Sequence, residues 1–276
     1  MRIDREVLTS RSNQLVKWFC TLADKKGRKE SGYFLAEGVK LTKEALDAKL
    51  PVEYLIVNES RKKIVFDVID EHLKSSEYEK CRVVTVSDGV FEKISTEKAP
   101  QGVISVIKHL DFFREMNIIY KEEFFLKPDE KAIFLCSVRD PSNLGAVIRS
   151  SVAFGTEHII LSDDCADIYN PKTIRSAMAS LYRVKVTTVK DVPSFIEAAI
   201  ASGRRIYAAE LTDRAISLHD AAVGKTDIVI IGNEGHGIPA EVSELCTGSV
   251  YIPISSKTES LNASVAAAIF MWEQSK

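Results

Sequence analysis

The chain has 276 residues, 45% hydrophobic and 28% charged, with a formal net charge of −2. This composition excludes a disordered chain, which would be apolar-poor and strongly charged, and 13 glycines and 8 prolines without a period exclude a collagen-like one. No run approaches the roughly 18 uncharged apolar residues of a membrane span, and the opening MRIDREVLTS has no apolar signal core, so a cytoplasmic protein is expected.

At roughly 150 residues per domain the length predicts about two domains. Leu15, Val16, Phe19 and Leu22 repeat at helical spacing, so Asn13 to Ala23 reads as a helix. Phe34-Leu35-Ala36 reads as a short strand, Val39 to Ala48 as a helix and Leu55-Ile56-Val57 as a second strand. A helix carrying Val65, Val68, Ile69 and Leu73 follows, then strands Val83–Val86 and Val103–Ile107. The alternation predicts a small α/β domain over residues 1–107. Residues 108–130 are charged and aromatic without a clear period and read as a linker.

Residues 131–276 alternate more clearly. Apolar strand runs lie at Ala132–Val138, His158–Leu161, Arg204–Ala209 and Asp227–Ile231, with a shorter one at Val250–Ile252 and helical patterns between them. Continuous apolar strands separated by helices predict an α/β parallel sheet covered on both faces. Ligands of such sheets bind at the carboxyl ends of the strands, so the loops just after strands matter most.

Three of these loops carry chemistry. After the first strand comes SVRDPSNLGAVIRSSVAFG. Its Pro141-Ser142-Asn143 predicts a turn with a helix N-cap at Asn143, and Gly155 ends the helix. After strand 227–231 comes IVIIGNEGHGIP, where three glycines in six residues let the backbone approach something closely, with the carboxylate of Glu234 among them. After Ile252, a polar loop leads to Ser260-Leu261-Asn262 and a helix through Trp272 whose Ala263, Ser264, Ala266, Ala267 and Ala268 allow close packing.

Charge is uneven along the chain. Residues 1–63 hold 14 basic and 9 acidic residues, a net of +5, and the remainder 23 and 30, a net of −7. Such asymmetry can mark an anion-binding region beside a catalytic one. The sharpest cluster, Lys25, Lys26, Arg28 and Lys29, reads as a loop. Five cysteines (20, 81, 136, 165, 246) form no CxxC and five histidines no HExxH, so no disulfide framework or metal site is expected.

Two nucleotide-binding readings fail. Gly224-Lys225-Thr226 lacks the glycine of a phosphate loop, since position 219 is His, and it precedes a strand. Gly232 to Gly237 is GxxGxG, not the dinucleotide fingerprint GxGxxG.

Taken together the three loops resemble the signature motifs of the SpoU-type RNA 2′-O-ribose methyltransferases of the SPOUT superfamily. These are Asn143-x-Gly145-x-x-x-Arg149 closing with Phe154-Gly155, then Gly-Asn-Glu-Gly-x-Gly-Ile (Gly232 to Ile238), then Ile252-Pro253 with Glu-Ser-Leu-Asn-x-Ser-x-Ala (Glu259 to Ala266). The match covers residues 131–276. The front part, with SRSNQLVKWF and YFLAEGVKLTKEAL, more loosely resembles the substrate-binding extension of some members, a small RNA-binding ribosomal-protein fold.

The resemblance implies S-adenosyl-L-methionine as methyl donor, a C-terminal trefoil knot, a homodimer and an RNA substrate, ribosomal in preference to transfer RNA. The alternatives are a transfer-RNA 2′-O-methyltransferase and a catalytically inactive RNA-binding protein of the same fold, and the intact motif residues weigh against the latter. By resemblance the cofactor-binding residues are Leu211, Thr212, Gly232, Asn233, Gly237, Ile252, Ser260 and Leu261, and the catalytic ones Arg149, Asn143, Glu234, Asn262 and Ser264. Arg149 is expected to stabilise the ribose oxygen anion, since a guanidinium stays protonated and accepts no hydrogen bond. Asn143 would hold Arg149 or the ribose, and Glu234 would fix its loop or pair with Arg149. Asn262 and Ser264 would contact ribose or cofactor. His236 reads as an exposed loop side chain. RNA binding requires phosphate neutralisation, which makes Arg11, Lys17, Lys25, Lys26, Arg28 and Lys29 the candidates for RNA contact.

Overall fold

A computed structural model describes residues 1–110, 113–116 and 125–276, the segment 113–116 by its backbone. It divides into two units, Met1–Leu110 with Asp167–Tyr182, and Asp111–Ala166 with Arg183–Lys276.

The first unit carries a five-stranded sheet of β1 (Arg2–Ile3), β2 (Tyr33–Glu37), β3 (Val52–Asn58), β4 (Arg82–Val86) and β5 (Val103–Lys108), in the order β1-β4-β3-β5-β2. β1, β4 and β3 are parallel, and β5 runs antiparallel to both β3 and β2. The helices are α1 (Gln14–Thr21), α2 (Lys25–Ser31), α3 (Val39–Asp47), α4 (Lys62–Leu73) and α5 (Asp88–Ile94). Asn13 starts α1 by accepting from the Leu15 amide at 2.8 Å, and the apolar spacing then turns Val16, Phe19 and Leu22 inward. With Val90, Phe91 and Ile94 they close on Leu35, Ile56, Val84 and Val106 of the sheet. Each such burial is worth about 1.5–3 kcal/mol.

The basic cluster is a helix, not a loop. It follows α1 almost at once, and Gly27 makes this possible, because a Cβ there would meet the Thr21 carbonyl oxygen at 2.1 Å. The cluster lacks an apolar period because only Arg28 of α2 is buried.

The second unit is an eight-stranded sheet of β6 (Phe113–Met116), β7 (Ala132–Leu135), β8 (His158–Ser162), β9 (Lys185–Val189), β10 (Ile206–Ala209), β11 (Ile216–Ser217), β12 (Ile228–Ile231) and β13 (Gly248–Tyr251). Its order is β11-β13-β10-β12-β7-β8-β9-β6. Every pair is parallel, as expected from the sequence. Of the expected linker 108–130, Phe113–Met116 is a strand, while residues 111–112 and 117–124 lie outside the described residues. The helices along this half are α6 (Pro141–Phe154), α7 (Pro171–Ala177), α8 (Val192–Ala201), α9 (Ala240–Ser243) and α10 (Ala263–Gln274), of which α7 belongs to the first unit. Phe134, Ile160, Ile228 and Ile230 of the central strands pack with Phe195 and Ile196 of α8.

Strand order reverses at the sheet centre. From β7 the chain moves outward through β8 and β9, then returns to place β12 on the other side of β7. The carboxyl ends around this reversal are where a doubly wound sheet opens a crevice. The three loops singled out from the sequence follow β7, β12 and β13.

The segment Asp167–Tyr182 completes the first unit. Tyr169 stacks on His109 at 4.1 Å between centroids and lies 4.7 Å from Phe34. Its hydroxyl accepts from the Leu110 amide at 2.8 Å. Ile174, Ala177, Leu181 and Tyr182 are buried.

Candidate active site

The loop after β7 is shaped before α6 begins. Ser137 has φ +57°, a left-handed conformation that a non-glycine residue rarely adopts. Its amide donates to Ser162 Oγ at 2.8 Å, and Asn233 Nδ2 donates to its carbonyl at 2.8 Å. The N-cap of α6 is Asp140, not Asn143. Asp140 Oδ1 accepts from the amides of Ser142 and Asn143 at 2.6 and 3.2 Å. Proline at the first helical position places the cap one residue before it. The Asn143 side chain is thereby left free to face the other loops.

Asn143 uses that freedom fully. Its Nδ2 donates to Glu234 Oε1, and its Oδ1 accepts from Asn262 Nδ2 at 3.0 Å. Asn262 in turn caps α10, with Oδ1 accepting from the Ser264 and Val265 amides and from Ser264 Oγ at 2.6 Å. One hydrogen-bonded chain, Glu234–Asn143–Asn262–Ser264, therefore ties all three loops together. The alternative pairing of Glu234 with Arg149 is not found. Arg149 is exposed and has no hydrogen bond or ion pair among the described residues. It lies six residues beyond Asn143, about 9 Å along the helix axis.

The loop after β12 is a tight closed turn. Asn233 and Gly237 exchange backbone hydrogen bonds of 3.0 and 2.9 Å, and Asn233 Oδ1 accepts from the Gly235 and His236 amides. Gly232 lies beneath this turn, where a Cβ would meet the Gly237 carbon at 2.4 Å and oxygen at 2.6 Å. His236 is exposed.

The loops after β12 and β13, with the end of β10, surround a cavity of about 300 Å³. Leu211, Gly232, Asn233, Gly237, Ile252, Ser260 and Leu261 line it, as does Glu234. Thr212 does not: it is exposed beyond the end of β10. The cavity floor is apolar, with Ile231, Val250 and Phe270, and its charged lining residues are Glu210, Glu234 and Glu259. Among the described residues no Lys, Arg or His lines it. An apolar cleft with acidic side chains and close-lying backbone suits a cationic, purine-bearing ligand, and S-adenosylmethionine has that chemistry. Among the described residues no group of three His, Cys, Asp or Glu is placed to hold a metal.

Motif reading missed a supporting clip. Glu210 Oε1 accepts from Ser243 Oγ at 2.5 Å and Ser249 Oγ at 2.7 Å, joining the end of β10 to α9 and β13. An acid at the end of an apolar strand was its only sequence signal.

Of the residues expected to meet RNA, Arg11, Lys17, Lys25, Lys26 and Lys29 are exposed. Arg28 is not available. It is 2% exposed, its guanidinium donates to the Leu22 and Ala23 carbonyls at 2.9 and 2.6 Å, and it pairs with Asp167 at 2.6 Å. Its charge serves the interior of the first unit. Arg28→Ala is expected to cost about 3 kcal/mol, because it leaves the Leu22 and Ala23 carbonyls without a donor and the half-buried Asp167 carboxylate without a partner. Urea denaturation checks this, and an unchanged midpoint with weakened RNA binding would restore Arg28 to the surface.

The sequence profile described as the SpoU rRNA methylase family matches residues 130–272, more than half of the chain. The chain belongs to the SpoU rRNA methylase family. It is therefore a methyltransferase that uses S-adenosylmethionine. Residues 13–105 match the MRM3-like substrate binding domain. The Bacillus subtilis 23S rRNA (guanosine(2553)-2′-O)-methyltransferase RlmP is 29% identical over 96% of this chain and 97% of its own. The Streptomyces viridochromogenes 23S rRNA (uridine(2479)-2′-O)-methyltransferase is 27% identical over 96% and 90%. Among solved structures, the AdoMet-bound rRNA methyltransferase from Sinorhizobium meliloti superposes with a TM-score of 0.78 at 25% identity, covering 99% of this chain and 97% of that one. The parallel-sheet α/β fold expected of the SpoU family is thus the fold observed. No helix among the described residues is long and apolar enough to cross a membrane.

Proposed function

We propose that this protein transfers a methyl group to a ribose 2′-hydroxyl of structured ribosomal RNA, acting in the cytoplasm as a homodimer. The observation that carries the reading is the Glu234–Asn143–Asn262 link, which ties the loop after β7 to the two SpoU loops that line the cavity. Two full-length relatives named as 23S rRNA 2′-O-methyltransferases support the substrate class.

S-adenosylmethionine supplies a methyl on a sulfonium, which leaves as a neutral thioether. The chain's own residues then have two tasks. The first is alignment, which alone can supply a large share of the rate. Gly232, Ile252 and Leu261 hold the donor, and the Asn143–Asn262 pair fixes the rim against which the ribose lies. The second is lowering the cost of removing the hydroxyl proton. Arg149, exposed and without a partner among the described residues, meets the substrate oxygen and stabilises its negative charge. Residues 1–107 take the RNA, with Arg11, Lys17, Lys25, Lys26 and Lys29 neutralising phosphates, and residues 131–276 perform the transfer.

The homodimer is supported by α10. Val265, Ala268, Ile269 and Trp272 repeat at i, i+3, i+4 and i+7, an apolar stripe in which Val265 is 47% and Trp272 49% exposed. The knot expected of the family is part of the same reading, and the packing of α10 on α6 and β12 agrees with it.

The test is transfer of labelled methyl from S-adenosylmethionine to size-fractionated RNA, followed by alkaline hydrolysis. Label is expected in a large ribosomal RNA, within a dinucleotide that resists alkali, because 2′-O-methylation blocks attack on the neighbouring phosphate. Label released as mononucleotides would overturn the ribose assignment, and label confined to transfer RNA would overturn the substrate.

A further inference from the structure

The first unit has a second surface with a chemistry of its own. Cross-strand partners in register place their side chains on the same face of a sheet. Tyr33 of β2 lies opposite Lys108 of β5, Tyr54 of β3 lies beside Arg82 of β4, and Arg82 lies beside Arg2 of β1. Tyr54 also pairs with Val106, two residues from Lys108, so all five share one face. Leu35, Ile56 and Val84 continue this face into the buried core.

At its rim Trp18 of α1 meets both tyrosines, with ring centroids 5.6 Å from Tyr33 and 5.5 Å from Tyr54, nearly edge-on. Phe19 beside it is fully buried, whereas Trp18, Tyr33 and Tyr54 are each half-buried and meet solvent. Arg2, Lys17 and Lys108 are exposed. The Arg82 side chain is 41% exposed while pairing with Asp4 at 2.7 Å. The carboxylates at hand are Asp4, spent on Arg82, and Glu53, which after burial is the next cause raising the Tyr33 phenol.

We propose that this aromatic rim is a stacking platform for an unpaired base of the RNA substrate, with Trp18, Tyr33 and Tyr54 receiving the base and Lys108, Arg2 and Lys17 its flanking phosphates. The inference rests on the RNA reading above and adds the mode of recognition to it. Aromatic rings interleaved with cations are the chemistry that binds single-stranded nucleic acid, because every base has a ring face and every linkage a charge. A protein partner would favour a surface poorer in lysine. The rigid edge-on packing fixes the rings before binding, so little ordering is needed when the base arrives.

The sequence has two tryptophans, Trp18 and Trp272, so emission reports on the site. Titrating the full-length protein with a single-stranded oligoribonucleotide of about 12 nucleotides is expected to quench part of the tryptophan emission. The quenching should vanish in Trp18→Phe. Trp18→Ala should weaken binding about tenfold by fluorescence anisotropy, while Trp18→Phe, which keeps a ring and the core packing, stays within about threefold. Lys108→Glu, an exposed change that leaves the core intact, should also weaken binding. RNA that binds without quenching, quenching unaltered in Trp18→Phe, or a duplex that quenches equally well would each overturn the platform. Methyl transfer by a protein whose Trp18 stays unquenched would refute this inference and leave the proposed function standing. Quenching without methyl transfer to any RNA would do the reverse.

Discussion

Gly232→Ala is expected to abolish S-adenosylmethionine binding while leaving most of the fold in place. The methyl would sit 2.4 Å from the Gly237 carbon and 2.7 Å from the Ile238 nitrogen, both backbone atoms. Backbone cannot rotate away as a side-chain tip can, so the whole turn has to lift. Lifting it breaks the paired Asn233–Gly237 hydrogen bonds and pulls Asn233 Nδ2 from the Ser137 carbonyl. The loops after β7 and β12 would then lose their register, and Glu234 its hold on Asn143. A loss of at least 100-fold in donor affinity is expected, equal to about 2.7 kcal/mol. Isothermal titration with S-adenosylmethionine measures it. Stability should fall by about 2 kcal/mol, within the range for forced overpacking. Wild-type donor affinity in a folded Gly232→Ala protein would show that the turn does not form the cavity wall.

Arg149→Ala is expected to lower kcat for methyl transfer by about 10²–10³, the usual effect of removing one donor that stabilises developing negative charge. Donor affinity should stay within about twofold, because Arg149 does not line the cavity. Stability should also hold, since the side chain is exposed and has no partner among the described residues. This split separates Arg149 from Gly232, whose loss acts through donor binding. Arg149→Lys should recover part of the rate but not all, because an ammonium lacks the planar fork of the guanidinium. Single-turnover rates with saturating donor would resolve the effect. Undiminished transfer in Arg149→Ala would remove the residue from the chemistry.

The loops that matter were legible in the sequence because glycine spacing, a lone acid and strand ends each have a direct physical meaning. The cap of α6 was misread because Asp140 and Asn143 can both cap a helix, and only the proline between them decides. β9 was missed because Lys185, Thr187 and Thr188 break an apolar run. In the sheet, Thr187 Oγ1 and His158 Nε2 hydrogen-bond at 2.7 Å and satisfy each other. α2 was missed because its one inward residue is an arginine, and a buried charge looks like a surface charge until its partner Asp167 is known. That partner lies 139 residues away, beyond any local pattern. Likewise, Glu234 and Arg149 are an obvious charge pair on paper, but Asn143 occupies the carboxylate.

The contribution of Asp167–Tyr182 to the first unit bears on how this protein can be taken apart. The chain enters and leaves that unit at Leu110, Asp167 and Tyr182, so no single cut separates the first unit from the second. A fragment ending at Leu110 would lack Tyr169 against Phe34, and would carry the buried guanidinium of Arg28 with no carboxylate to meet it. Grafting the front part onto another SpoU catalytic half would therefore require the recipient to supply a matching helix from between its own strands. The second half of the chain thus supplies a helix that the first unit needs, and the two units can be exchanged only together with that helix.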